Sequence, residues 1–324
     1  MNKGAKVSKT SIKTILRDQR TILFLVLVVM TIGVTIFKPN FISTGNIILI
    51  FQQISIVGLL TMGMSMLMLG GGVDLSVGNI MILSGCTIAA LLHMENPLPL
   101  GVAVAIGLLV GVLCGALNGL IVAKSKCAPL IITLGTSNVF YGIALIITNA
   151  KVQSFNRVFE GIRLMRIGGV IPITLIWFFA LVIVTAVIIN KTRFGRRIVA
   201  MGGNEENARL CGINVDLHKV LLYGISGLYC AIASIIFASR LDAITAAGGA
   251  GYETSALTGA IIGGVSFDGG KGTISGAFLG ALFMGVLSNA MNILTIDSYV
   301  QTVILGVAVV FSVVISNIDN IRKK

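Results

Sequence analysis

Two carboxylates stand inside glycine-rich breaks of an otherwise apolar chain. Asp74 lies in GGGVDLSVG (residues 70–78) and Asp268 in GGVSFDGGKG (residues 263–272). Three glycines end one helix, and Asp74 and Ser76 then offer side-chain oxygens where the next would begin. Either could cap that helix. A cap alone does not require so elaborate a break. Broken helices in membrane carriers often line a pathway or act as a hinge, because their unpaired backbone groups must find water, protein or ligand. Both readings stay open for Asp74 and Ser76.

The other polar side chains within apolar runs are neutral, among them Gln52, Gln53, Asn118, Thr133, Thr136, Asn138, Ser288, Asn289 and Asn292. Amides in lipid bond to other helices or face a wet cavity. They also suit sugar hydroxyls, since each offers donors and an acceptor. As a set these neutral residues suggest an uncharged central path, and we expect Gln52, Asn118, Asn138 and Asn289, with Asp74 and Ser76, to mark a translocation path or hinge. No nucleophile–base constellation and no Walker A pattern occurs. His93 and His218 lack partners at metal-ligand spacing, and the five cysteines form no CxxC pair. We expect no catalytic residue, metal or cofactor in this chain.

The elements that must position these residues are membrane helices. Of 324 residues, 56% are hydrophobic and 11% charged, where a soluble domain carries about 25% charged. Apolar runs near 21–37, 46–69, 76–93, 98–123, 129–149, 170–189, 219–240, 254–266, 272–292 and 299–316 predict an all-α polytopic protein. That is about ten spans in a single domain over 21–316, the eighth short enough to be a half-span. The basic start before the first run resembles a signal peptide but lacks an A-x-A cleavage pattern, so a retained helix is expected.

Eighteen of the 24 Lys and Arg residues fall in segments on one side of this topology. That asymmetry puts both termini, 1–20 and 317–324, in the cytoplasm. It also accounts for the net charge of +12 without nucleic acid. The exception is the outer loop 150–169, with Lys151, Arg157, Arg163 and Arg166 against Glu160. It reads equally as a solvated loop or as a docking surface for an acidic external partner.

Between spans six and seven the chain turns polar over 190–219, NKTRFGRRIVAMGGNEENARLCGINVDLHK. A charged lobe kept on the inner face is suited to touching something soluble. Gly107, Gly111, Gly115 and Gly119 recur at steps of four in span four, and Gly272, Gly276, Gly280 and Gly285 make a similar row. Such faces let helix backbones approach closely, within one chain or between two copies.

Three strings, GGGVDLSVG at 70–78, FGRRIVAMGGNEENARLCGINV at 194–215 and GGVSFDGGKGTISGAFLGAL at 263–282, resemble the permease subunits of ribose-type carbohydrate ABC importers. The likeness runs from about residue 20 to 316. It implies a multi-pass permease of the bacterial inner membrane that pairs as a homodimer. It implies a cytoplasmic ABC ATPase partner, which would hold ATP and Mg, and an extracytoplasmic sugar-binding protein. The string at 194–215 resembles the segment that contacts the ATPase. Gly202, Gly203, Asn204, Glu205, Glu206, Ala208, Arg209 and Gly212 are the coupling residues this implies. Glu206-Asn207 and Cys211 depart from the usual alanine and serine. The implied cargo is a ribose-like pentose or a hexose. Nucleosides, inositol or a furanosyl signal molecule stay open, as does an ion-coupled carrier acting alone. Scarce charge within the spans and the large lobe argue against that last reading.

Overall fold

The computed structural model describes residues 19–169 and 171–321. Most of the basic N-terminal segment and residues 322–324 of the tail lie outside the described residues. Each apolar run forms one helix: α1 (Gln19–Phe37), α2 (Thr44–Leu69), α3 (Val77–Leu92), α4 (Leu100–Ser125) and α5 (Pro129–Thr148) come first. The short α6 (Glu160–Leu164) follows, then α7 (Ile173–Lys191). The lobe contributes α8 (Arg193–Gly203) and α9 (Glu205–Leu210). The chain finishes with α10 (Val215–Leu241), α11 (Tyr252–Ile262), α12 (Ile274–Ile293) and α13 (Ser298–Ile321).

Seven of these, α1, α2, α4, α5, α7, α10 and α12, are long and apolar enough to cross a membrane. α3 and the apolar part of α13, Ser298–Val314, are shorter. α11 has 11 residues, a rise of about 16 Å, or about half the hydrocarbon thickness. Gly251 starts it at φ 85° and Gly264 follows its end at φ 84°, so glycine sets both limits.

α2 and α10 form the centre: 72% of the apolar window of each is buried, against 11% for α1. α1 turns Phe24, Val29, Ile32 and Ile36 outward, and α13 turns Val303, Val307, Val310 and Phe311 outward. These two helices are at the perimeter. The glycine row of α4 is spent inside the chain. Gly111 faces Gly227 and Ala231 of α10, Gly115 the Tyr223 carbonyl, and Gly119 Val220. The second row divides: Gly276 and Gly280 meet Gly263 and Gly259 of α11, whereas Gly285 meets Ile54 of α2.

Connections gather at two ends. At one, the lobe meets the 70–72 and 269–270 turns. At the other, strands β1 (Gln153–Ser154) and β4 (Ala243–Ile244) pair antiparallel, as do β2 (Arg166–Ile167) and β3 (Ile171–Pro172). The stretch read from sequence as one loop is therefore a small folded cap.

Candidate coupling site and buried polar cluster

The three glycine strings converge. α2 ends at Leu69, whose carbonyl accepts a hydrogen bond from Gly270 N at 3.0 Å. Gly202, at the end of α8, packs on that same carbonyl, and a Cβ there would also stand 2.7 Å from Gly270 N. A Cβ on Gly269 would lie 2.6 Å from the Gly202 carbonyl oxygen and 3.0 Å from Gly71 Cα. Backbone touches backbone from three directions, with no side chain between. Gly269 has φ 88° and Gly71 has φ 76°, which side chains disfavour.

The lobe is built locally. Thr192 Oγ1 accepts from Gly195 N at 3.1 Å and caps α8. Gly195, Ile198 and Met201 face inward while Arg193, Arg196 and Arg197 face out. Asn204 then breaks the run and caps α9, its Oδ1 accepting from Asn207 N at 2.8 Å. Asn204 thus separates α8 from α9. Ala208 is buried, and Gly212 at φ 78° turns the chain so that Ile213 N reaches the Ala208 carbonyl at 3.1 Å.

Glu205 and Arg209, two of the expected coupling residues, are engaged within the chain. Arg209 bonds Glu205 at 3.0 Å and Asp216 at 2.5 Å. Lys219 of α10 bonds Glu205 at 2.7 Å, and Lys124 of α4 bonds Asp216 at 3.3 Å. Partial burial pushes the Glu205 carboxyl up, but bonds from Lys219 and Arg209 outweigh it and hold it below the ordinary glutamate range. Arg209 holds Asp216 low, and Asp216 with Glu205 raises Arg209. Exposed ion pairs contribute about 0–1 kcal/mol each, so the network sets the tilt of α9 more than its stability. Beside it a cavity of about 830 Å³ reaches Lys126 and Gly71.

What α9 leaves free is different. Glu206 and Asn207 are exposed, and Leu210 is 81% exposed. Leu210 escaped the sequence reading. Its signal was a single large apolar residue in the charged run ENARLCG.

Asp74 lies at the core of a second arrangement and is fully buried. Its Oδ1 accepts from Ser76 N at 2.8 Å and Ser76 Oγ at 2.5 Å. Asn118 of α4 donates to Ser76 Oγ at 2.8 Å and approaches both carboxylate oxygens at 3.4 Å. Tyr223 of α10 donates to the Val73 carbonyl at 3.0 Å, and Leu75 N donates to Thr133 of α5 at 3.1 Å. Asp74 therefore closes a turn on its own backbone. Ser76, the N-cap of α3, makes no side-chain bond to that helix. The break is a knot that ties α4, α5 and α10 together.

The other candidates separate. Asn289 and Asn46 exchange paired amide bonds at 3.0 Å, joining α12 to α2. Gln52 is half-buried and has no hydrogen-bond partner among the described residues, while neighbouring Gln53 bonds Ser288 at 2.8 Å. Asn138 lines a cleft of about 440 Å³ with Asn79, Ser137, Tyr141, Glu253 and Thr254. That cleft joins the knot through Ser137, which receives Asn79 Nδ2 at 2.8 Å and donates to the Leu75 carbonyl at 3.3 Å.

Comparison with known proteins follows the same strings. Residues 46–313 match the family described as branched-chain amino acid transport system / permease component. The ribose import permease protein RbsC of Haemophilus influenzae is 34% identical over 98% of both chains. The D-allose transport system permease protein AlsC of Escherichia coli is 35% identical, covering 93% of this chain and 92% of that one. The L-arabinose transport system permease protein AraH of Escherichia coli is 36% identical, covering 90% and 88%. No solved structure matches.

Proposed function

The chain belongs to the branched-chain amino acid transport system / permease component family, and on that premise we propose that it is the membrane permease of an ABC importer for a monosaccharide. It is a transport subunit and not an enzyme. The observation that carries the cargo class is the likeness, end to end, to a ribose permease, with allose and arabinose permeases beside it. Neutral lining supports a sugar over the zwitterion that the family description names. Asn79, Ser137, Asn138, Tyr141 and Thr254 offer hydroxyl and amide partners, with Glu253 the one charge of the cleft.

The lobe end faces the cytoplasm on this reading, in keeping with the excess of Lys and Arg there. A partner ATPase binds ATP and Mg and seats on α9, touching Glu206, Asn207 and Leu210. Gly202, Gly203, Asn204 and Gly212 shape the element. Glu205, Ala208 and Arg209 hold its register. A push on α9 passes through Gly202 to Leu69 and Gly270, and so to the ends of α2 and α11 together. Asp74, Ser76 and Asn118 are the hinge beside the cleft. Asn138 stands in the path, and Gln52 and Asn289 act at the α2–α12 seam. A second copy completes the path, and an extracytoplasmic binding protein delivers the sugar. In such a cycle the path alternates between outward and inward openings.

Uptake of labelled ribose, allose and arabinose into proteoliposomes holding the permease, its ATPase and its binding protein tests this. ATP-dependent uptake of one of them is expected. Uptake that survives loss of the ATPase and collapses with an uncoupler would overturn it.

A further inference from the structure

The cleft beside the knot is polar, but its polarity is one-sided. Asn79 of α3 spends its amide Nδ2 on Ser137, at 3.1 Å to the carbonyl and 2.8 Å to Oγ. Ser137 gives its own hydroxyl proton to the Leu75 carbonyl. Asn138 of α5 donates to the Leu134 carbonyl at 3.3 Å, and Thr254 Oγ1 to the Gly251 carbonyl at 2.9 Å. Among the described residues nothing donates to Asn79 Oδ1, Asn138 Oδ1 or Thr254 Oγ1. The protein uses most of the donors of the cleft and leaves its acceptors open.

Glu253 adds the strongest acceptor. It is half-buried at the start of α11. Its Oε1 accepts from Gly251 N at 3.1 Å, which holds the side chain across the turn. Among the described residues Oε2 receives no hydrogen bond, Glu253 forms no ion pair, and no lysine, arginine or histidine lines the cleft. Gly78 of α3 makes room for this oxygen, since a Cβ there would stand 2.7 Å from it. A half-buried carboxylate without a cation needs donors from elsewhere. Water supplies them until a ligand enters, and the ligand must then supply as many.

Such a cleft selects by complement. A neutral polyol brings many hydroxyl donors, and adjacent hydroxyls suit a carboxylate and the amide oxygens beside it. A phosphate or carboxylate group brings acceptors and a like charge, which a partly dry site penalises more than water does.

We propose that Glu253 is the specificity-determining residue of this cleft: with Asn79 and Asn138 it accepts hydroxyl protons from a neutral sugar, and its charge turns away anionic sugars. The proposal rests on the importer reading above and deepens it.

The test reads direct contact by saturation-transfer NMR on the permease–ATPase complex in nanodiscs, without binding protein or ATP. The probes are ribose, allose and arabinose, with the terminal phosphate ester and the 2-amino-2-deoxy derivative of each. At least one neutral sugar should contact the wild type while its phosphate makes little contact. Glu253→Gln should weaken that sugar about tenfold and admit the phosphate. Glutamine can keep the bond to Gly251 N, and co-purification of the ATPase checks that the variant is folded. Asn138→Ala, at an exposed position, should weaken the sugar without admitting the phosphate, because it removes an acceptor and no charge. No contact from any of the three sugars overturns the proposal, as does equal contact from a sugar and its phosphate. So does a sugar signal that Glu253→Gln leaves unchanged. An amino sugar that displaces the neutral one, and loses that lead in Glu253→Gln, overturns it too by making the cleft a cation site. Failure of the wild type to take up any of these sugars with ATP and the binding protein would defeat the importer reading instead. That measurement is separate, so the two failures are distinct.

Discussion

The two ends of this molecule are joined by opposite means. At the lobe end, three segments meet through Gly71, Gly202, Gly269 and Gly270, backbone against backbone. At the other end, Phe155 and Phe159 fill a small core beneath a strand pair. One seam is closed by what its residues lack and the other by what they fill. The cap therefore breaks when atoms are removed, and the glycine seam breaks when atoms are added. A surface that must hold one shape for a visiting partner suits the first. Parts that shift against each other in a cycle suit the second, because no interlocked side chain has to release.

Phe155→Ala should have the largest effect on stability. The ring is 1% exposed, and Phe→Ala in a core costs about 3–5 kcal/mol. Amide exchange in residues 151–172 and 241–246 should rise sharply while the lobe stays protected. Loss of protection at both ends would show that they are not separate units.

Gly202→Ala probes the other seam and should act on transport more than on folding. The new methyl meets backbone at Leu69 and Gly270, which cannot rotate away, and overpacking of this kind costs about 1–3 kcal/mol. We expect sugar uptake to fall about tenfold or more while ATP hydrolysis continues uncoupled. Gly203→Ala is the sharper half of the pair. Nothing lies within 4 Å of a Cβ at Gly203, so uptake should stay near wild type. Equal loss from both would remove the geometric argument for the seam.

Leu210→Asp comes next. An exposed side chain contributes little to the fold, so thermal stability should hold. Docking of the ATPase should weaken by about 1–2 kcal/mol, the scale of an interface anchor. Co-purification of the ATPase with the variant measures this, and full recovery would move the contact elsewhere on the lobe.

The seven long helices were legible because each is a long apolar run, and the lobe because charge interrupts those runs. Their meeting points were not. Gly71, Gly202 and Gly270 are remote in sequence, and glycine carries no periodic signal of what it faces. Asp74 and Asn118 are 44 residues apart, so a break and an intramembrane amide read as two features instead of one knot. Asn118 was drawn from the sequence as an uncharged path residue, and its partner is an acid. Gly-Gly-Asn ends one helix and caps the next at Asn204, so the limit of α9 was legible. The strands of the cap are two residues long, too short for alternation to register.

The smallest effect concerns the ion pairs of α9, and it separates orientation from stability at the lobe. Glu205 and Asp216 are held below their ordinary values. A carboxylate of that kind stabilises the fold above its unfolded value and loses the contribution as pH falls through the folded one. The window therefore lies at and below about pH 4. Arg209 is raised, so its share would be lost only at extreme alkalinity. Lobe ordering, read by amide exchange at Ala208 and Ile213, should be flat between about pH 5 and 8 once intrinsic exchange rates are removed. Glu205→Gln should change it by less than about 1 kcal/mol, and less again in high salt. Coupling should respond more than ordering does on the proposed docking, since the bonds from Lys219 and Arg209 orient α9. A transition near pH 6 would point to a different group, and would mean that these ion pairs are not what sets the lobe.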